Sequence, residues 1–136
     1  MPYQKQTGKM VRLTVEEVLG KENFKGIIVG IPSASIIADP KFHPEVEYPL
    51  TFILDQRLVC RTFIDPESDV QYNQYDNARI FMENAVKKEM EVRVYGELDN
   101  NDRLFNTNII MFPDRKNING WRYFGFNSRP KQRTII

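Results

Sequence analysis

At 136 residues and 41% hydrophobic composition, the chain is long enough for one domain with a modest core and too short for two ordinary ones. The net charge of +1 excludes a strongly basic or acidic protein, and the single cysteine, Cys60, excludes an internal disulfide. No apolar run approaches the roughly 20 residues of a membrane span, and the amino-terminal residues lack a signal-peptide stretch. We therefore expect one cytoplasmic domain without a membrane partner.

Charge is unevenly distributed along the chain. Lysines and arginines precede the first acid, Glu16, and no acid follows Asp114. The acids concentrate in the middle, as between Glu89 and Asp102. Because polyanion binding depends on where charge lies as well as on its sum, this distribution permits a local basic groove.

The first predicted element is a short helix. Thr14 and Glu17 have the spacing of a capping box, in which each side chain bonds the other residue's backbone N–H group. An apolar stripe follows and Gly20 ends the helix. We assign residues 1–25 to an N-terminal extension that carries it.

Three strands are predicted next. Residues 26–32 form a β-branched run bounded by glycine and proline, which predicts a strand that is either largely buried on both sides or bent at Gly30. A loop rich in turn formers separates it from residues 48–55, whose alternation places Leu50, Phe52 and Leu54 in the core and Thr51 and Ile53 outside. Residues 58–64 supply the third strand, joined to the second by a tight turn at Gln56 and Arg57.

A helix and two more strands complete the predicted order. Residues 65–74 are predicted as a loop, and Asp76 as the cap of a helix that ends at Lys87 and Lys88, where cations suit the helix dipole. Residues 89–98 alternate strictly, which predicts a half-buried strand with Arg93 and Tyr95 on its outer face. A polar turn at 99–102 leads into a fifth strand over 103–112.

Three strands, a helix and two strands is the element order of the OB-fold. This five-stranded Greek-key barrel has its helix between strands three and four and commonly binds oligonucleotides across strands two and three. The sequence thus predicts an all-β fold with one or two short helices. We assign the OB-fold domain to residues 26–113 and a basic, aromatic C-terminal segment to residues 114–136.

The predicted elements also resemble a known family. The matching runs are Gly-Ile-Ile-Val-Gly-Ile from Gly26, Leu-Thr-Phe-Ile-Leu from Leu50, Leu-Val-Cys-Arg-Thr-Phe from Leu58, Val-Arg-Val-Tyr-Gly-Glu-Leu from Val92 and Asn-Ile-Ile-Met-Phe from Asn108. Together they are similar to the bacterial and phage single-stranded DNA-binding proteins. The resemblance implies an OB-fold that binds single-stranded DNA in replication or recombination and assembles as a dimer or tetramer.

Candidate contact residues follow from the strand alternation. Binding a single strand without sequence preference needs aromatic faces, worth about 1 to 3 kcal/mol per stacked base, interleaved with cations. If the third strand turns Leu58 and Cys60 inward, Arg61 and Phe63 face the binding side beside Arg93 and Tyr95. The alternative for this face is an ordinary solvated surface, with Phe63 in the core if the register shifts by one residue.

The C-terminal segment concentrates the only tryptophan with three more aromatic residues. It is either a stacking surface with phosphate-binding cations or an extra strand that buries Trp121, Phe124 and Phe126 in the core or an interface; we favour the strand. The candidate contacts in this segment are Trp121, Arg122, Arg129, Lys131 and Arg133.

Catalytic and metal-binding signatures are missing from the sequence. The one histidine, His43, lies in a proline-flanked loop, and Cys60 lies in the middle of a strand. No phosphate-binding loop, nucleophile elbow or paired-cysteine motif occurs. We expect a non-enzyme without a cofactor or a metal.

The sequence therefore predicts a non-catalytic single-stranded DNA-binding protein. Two alternatives stay open: an OB-fold adaptor that binds protein, and an OB module that binds RNA, because stacking surfaces accept either nucleic acid. We also expect a homo-oligomer, because one long predicted helix cannot cover all of the apolar strand side chains, such as those of Ile27, Ile28, Val29 and Ile31.

Overall fold

The computed structural model describes residues 12–127, which form one large sheet and two helices. In chain order the elements are β1 (Arg12–Thr14), α1 (Val15–Leu19), β2 (Lys25–Gly30), β3 (Pro32–Ile37), β4 (Leu50–Leu54), β5 (Leu58–Arg61), α2 (Asp69–Lys88), β6 (Val92–Leu98), β7 (Phe105–Pro113) and β8 (Trp121–Gly125). The predicted all-β class is confirmed. The helix α2, at 20 residues, is longer than expected.

The sheet runs in the order β1-β2-β6-β7-β5-β4-β3, and β8 adds to β7. The β1–β2 and β5–β7 pairs are parallel and the others are antiparallel. Although β2 and β3 lie far apart in this order, only Ile31 separates them in the chain. The backbone N–H of Ile31 donates to a carboxylate oxygen of Asp55 at 2.8 Å, and its carbonyl accepts from the Asp55 N–H at 2.9 Å.

Strand pairing separates a core face from an outer face. One row of paired residues crosses the sheet from β2 to β8 within the core: Ile28, Val94, Ile110 and Phe124. The neighbouring row lies on the outer face: Val29, Arg93, Met111 and Tyr123. The predicted alternation of residues 92–98 is therefore confirmed.

The core lies between the sheet and one side of α2. Leu50, Phe52 and Leu54 are fully buried, as predicted. The helix contributes Tyr75, Ala78, Met82 and Ala85. Each large apolar side chain removed from water contributes about 1.5 to 3 kcal/mol, so this helix face is a main source of stability.

The short helix α1 is capped as predicted. The Glu17 N–H donates to the Thr14 hydroxyl at 3.2 Å, and the Thr14 N–H donates to the Glu17 carboxylate at 2.9 Å. The Thr14 N–H, and the Thr14 hydroxyl that donates to the same carboxylate at 3.0 Å, lower the pKa of Glu17. Gly20 follows the helix as its C-cap.

The β4–β5 hairpin is also confirmed. Its turn is made without glycine, because Asp55 and Gln56 adopt positive φ angles of 49° and 60°. The connection has three residues, 55–57, and the Arg57 N–H donates to the Leu54 carbonyl at 3.0 Å. The turn is therefore centred on Asp55 and Gln56, one residue before the predicted position, and positive φ at both central residues suits the twist of a hairpin.

Several elements differ from the prediction. Strand β1 was not predicted, β5 ends at Arg61 instead of residue 64, and β7 spans Phe105–Pro113 instead of 103–112. The helix α2 begins seven residues before Asp76, because the Ser68 hydroxyl accepts the Gln71 N–H at 3.3 Å and caps it there. The strand β3 was not predicted. Its residues 33–35 lack an apolar alternation, and it is held by pairing with β4 alone among the described strands.

Candidate nucleic-acid interface

The most distinctive contact of the outer face joins Arg93 and Trp121. The guanidinium carbon of Arg93 lies 4.1 Å from the centre of the Trp121 ring. Its Nε is buried without a hydrogen-bond partner, and within residues 12–127 no carboxylate forms an ion pair with it. Arg93 therefore keeps its positive charge uncompensated while its plane is fixed against an aromatic ring.

Further rings surround this pair. Tyr123 pairs with Met111 across β7 and β8 and is 52% exposed, and Tyr95 lies on the same face of β6. We call the five residues Arg93, Tyr95, Met111, Trp121 and Tyr123 the outer platform. It combines flat aromatic surface with one stacked cation, the two components that single-strand binding needs.

The β7–β8 connection fixes the position of Trp121. The Asp114 N–H donates to the Gly120 carbonyl at 2.8 Å, and the Trp121 N–H donates to the Asn119 side chain at 3.0 Å. The Asn117 amide group donates to the Trp121 carbonyl at 2.6 Å. Gly120 has a φ of 81°, which only glycine adopts without cost. The turn thus holds β8 in register beside β7.

Arg61 does not belong to the outer platform, because its side chain is bound by other residues. Its guanidinium lies 3.0 Å from the Asp102 carboxylate and 3.6 Å from that of Asp99, and it stacks 4.9 Å from the Tyr48 ring centre. It also donates to the Asn106 side chain. Only 12% of the side chain is exposed, so its charge is already matched within the protein.

Of the two positions that the sequence left open for Phe63, the structure has the buried one. Phe63 is 2% exposed, and its ring centre lies 4.3 Å from that of Tyr48. Strand β5 ends at Arg61, so the alternation does not extend to residue 63, whose backbone bonds Asn127 instead. Tyr48 is the outer ring here. Tyr48 was not among the predicted contact residues; it lies before β4, where strand alternation does not determine which face a side chain takes.

The predicted extra strand of the C-terminal segment is confirmed as β8. Phe124 and Phe126 are buried, whereas Trp121 is only partly buried. Arg122 points to the opposite face from Trp121, over the Phe81 ring at 5.5 Å, and does not join the platform. The other three candidates, Arg129, Lys131 and Arg133, lie outside the described residues.

Groups with catalytic or metal-binding potential are scattered. In the described part of the chain, no three His, Cys, Asp or Glu side chains come together as metal ligands. Cys60 is fully buried, and burial raises the pKa of its thiol. Neither α1 nor α2, the helices of residues 12–127, is long and apolar enough to cross a membrane.

Comparison of the chain with protein-family models, curated proteins and solved structures finds no match. Function must therefore be argued from the residues themselves.

Proposed function

We propose that this chain is an OB-fold protein that binds single-stranded DNA without catalysis and protects exposed strands during replication or recombination. The observation that carries the proposal is the Arg93–Trp121 stack on the outer face, with Tyr95 and Tyr123 beside it.

The sheet topology supports the OB-fold. Without β1 and β8, the pairing order is β2-β6-β7-β5-β4-β3. The strands at its two ends, β2 and β3, follow each other in the chain and are separated by Ile31 alone. Counted as a single bent strand, they give five strands with α2 between the third and fourth. This is the OB-fold element order.

The chemistry of the platform supports a single strand over a duplex. A base that is not paired offers its flat face, and stacking on an aromatic ring contributes about 1 to 3 kcal/mol. Arg93 stabilises such a base or a neighbouring phosphate, because its charge has no carboxylate partner within the described structure. Paired bases in a duplex are already stacked on each other and gain little from the platform.

The same outer face supports self-association. Ile27 pairs with Tyr95, which in turn pairs with Ile109, and Ile31 is 40% exposed. Ile28, which was expected at the interface between subunits, lies in the hydrophobic core. We propose a homo-oligomer formed through the β2 side of this face. Sedimentation of the wild type and of an Ile27→Glu variant tests it: a smaller particle for the variant supports the interface, and an unchanged monomer contradicts it.

Binding of labelled oligo-dT tests the proposed function. We expect Arg93→Ala to weaken binding by about tenfold, since a stacked cation and its ring act together. Arg79→Ala is the matched control: Arg79 lies on α2 and pairs with Asp76 and Glu83, so its loss should leave affinity unchanged.

The outcomes of this experiment are distinct. Failure of the wild type to bind oligo-dT at about 50 mM salt would overturn the proposal. Equal or tighter binding of duplex DNA would also overturn it. Oligo-rU in place of oligo-dT measures the RNA alternative: tighter binding of oligo-rU would assign the platform to RNA.

A further inference from the structure

A groove of about 340 Å³ lies between the C-terminal half of α2 and the start of the β7–β8 connection. Its apolar wall is formed by Phe81, Ala85, Met90 and Phe112, and its polar rim by Asp114, Arg115, Lys116 and Arg122. Small-ligand sites typically enclose roughly 300 to 1,000 Å³, so the volume suits one nucleotide.

The rim of the groove is positively charged. Three cations face a single carboxylate, Asp114, whose oxygen lies 3.9 Å from the Arg122 guanidinium. Arg122 is 47% exposed, and its guanidinium lies 5.5 Å from the Phe81 ring centre and 5.7 Å from that of Phe124. Its position is therefore fixed by aromatic packing while its donors stay accessible.

The groove and the outer platform meet at one strand. Successive side chains of a strand point to opposite faces, so Trp121 and Arg122 place the platform and the groove on the two sides of β8. Within residues 12–127, β7 is the one strand that pairs with β8. At the other edge of β8 the Gly125 N–H donates to the Gln74 side chain of α2 at 3.0 Å, and no described strand covers the end at Trp121 and Tyr123.

We propose that the groove is a second nucleotide subsite, occupied by the same single strand after it crosses the edge of β8 at its Trp121–Tyr123 end. The sugar or base packs on Phe81, and the phosphate lies between Arg122 and Lys116. This inference rests on the proposed function. An aromatic wall with a cationic rim fits a nucleotide, which carries a flat apolar face and a negative charge on adjoining groups.

Substitutions at the rim test the subsite in opposite directions. Arg122→Gln keeps the side-chain stem over Phe81 and removes the charge; we expect about tenfold weaker oligo-dT binding and a salt slope smaller by about 0.7. Asp114→Asn removes the carboxylate charge beside Arg122 but keeps an oxygen that can accept the Lys116 N–H, which donates to Asp114 at 3.0 Å in the wild type. Oligo-dT binding should therefore strengthen a few-fold. Lys21→Gln, exposed beyond α1, is the matched control and should change nothing.

A second measurement locates the ligand. Thymidine 5′-monophosphate should shift the amide resonances of Phe81 and Asn84, and inorganic phosphate should shift them less because it cannot pack on the ring. Wild-type affinity and salt slope in Arg122→Gln would overturn the subsite while leaving the proposed function intact. Binding of an acidic peptide with no response to the monophosphate would assign the groove to protein instead. Failure of the wild type to bind any oligo-dT would overturn both.

Discussion

The side chains of Arg93 and Trp121 stack on each other, although strand β7 lies between the two strands that carry them. Both β6 and β8 pair with β7, in which Met111 lies opposite Arg93, yet the Arg93 guanidinium lies 4.1 Å from the Trp121 ring centre. The contact stabilises β8 against the sheet by about 0.5 to 2 kcal/mol. The last strand of the described chain therefore completes the candidate site as well as the fold.

Geometry at Arg93 should matter as much as charge. Arg93→Lys keeps the positive charge but loses the planar group that stacks on Trp121. We expect oligo-dT binding by Arg93→Lys to fall between those of the wild type and Arg93→Ala, measured by fluorescence anisotropy at matched salt. Wild-type affinity for Arg93→Lys would mean that charge alone acts at this position.

Arg61 should contribute more to stability than an exposed arginine. Arg61→Ala leaves the Asp99 and Asp102 carboxylates without their partner and removes a group that packs on Tyr48. We expect the free energy of unfolding to fall by about 1 to 3 kcal/mol. Arg79→Ala removes exposed pairs within one helix and should cost about 0.3 to 0.5 kcal/mol. Urea unfolding compares the two; equal losses would contradict the account.

Gly96 should not tolerate a side chain. A Cβ atom at this position would lie 2.0 Å from the Asn106 carbonyl oxygen, at the irregular pairing between β6 and β7. We expect Gly96→Ala to lower the free energy of unfolding by at least about 2 kcal/mol.

Gly20→Ala is the control for that substitution. Its nearest contact would be an ordinary 3.7 Å from Glu17, and its φ is negative. We expect a change of less than about 1 kcal/mol by thermal unfolding. A Gly96→Ala variant as stable as this control would show that the β6–β7 pairing is not as close as described.

Tyr75 should make stability depend on alkaline pH. Burial, and after it the negative charge of Asp39, raises the pKa of Tyr75 from the ordinary value of 10.0 to about 12. Below pH 10 the hydroxyl is neutral in both states, so its contribution is complete there and is lost as pH rises towards 12.

Tyr75→Phe should therefore lose less stability than the wild type between pH 7 and pH 11. The buried hydroxyl has no hydrogen-bond partner within the described structure, so the substitution leaves no orphaned group. Urea unfolding at both pH values measures the difference. The same pH dependence in both proteins would contradict the assigned burial.

Cys60 should be inert in the folded protein. It is fully buried, and its raised pKa keeps the thiol protonated at neutral pH, whereas the thiolate is the reactive form. We expect a thiol reagent to label Cys60 only after denaturation. Rapid labelling of the native protein would contradict its place in the core.

Strong local patterns predicted the all-β class and several of its elements. The capping box located α1, and the alternation of Leu50, Phe52 and Leu54 gave the correct face of β4. The strand β3 had no such pattern, because Ser33 and Ala34 are exposed and its residues are held by pairing with β4. The early turns of α2 are rich in polar residues, but Ser68, followed three residues later by Gln71, was the signal that marked their start.

The candidate site was only partly predictable from the sequence. Alternation placed Arg93 and Tyr95 on the outer face, but it could not pair Arg93 with Trp121, which lies 28 residues along the chain. Nor could it show that Arg61 has two carboxylate partners from a distant turn. Such contacts are set by strand order, which the spacing of apolar residues does not encode.

Fluorescence of Trp121, the only tryptophan, tests the central claim most directly. We expect poly-dT to quench this emission at about 50 mM salt, about 200 mM salt to weaken the quenching, and duplex DNA to cause little quenching. Emission that does not change with poly-dT would contradict the outer platform as a single-strand binding surface.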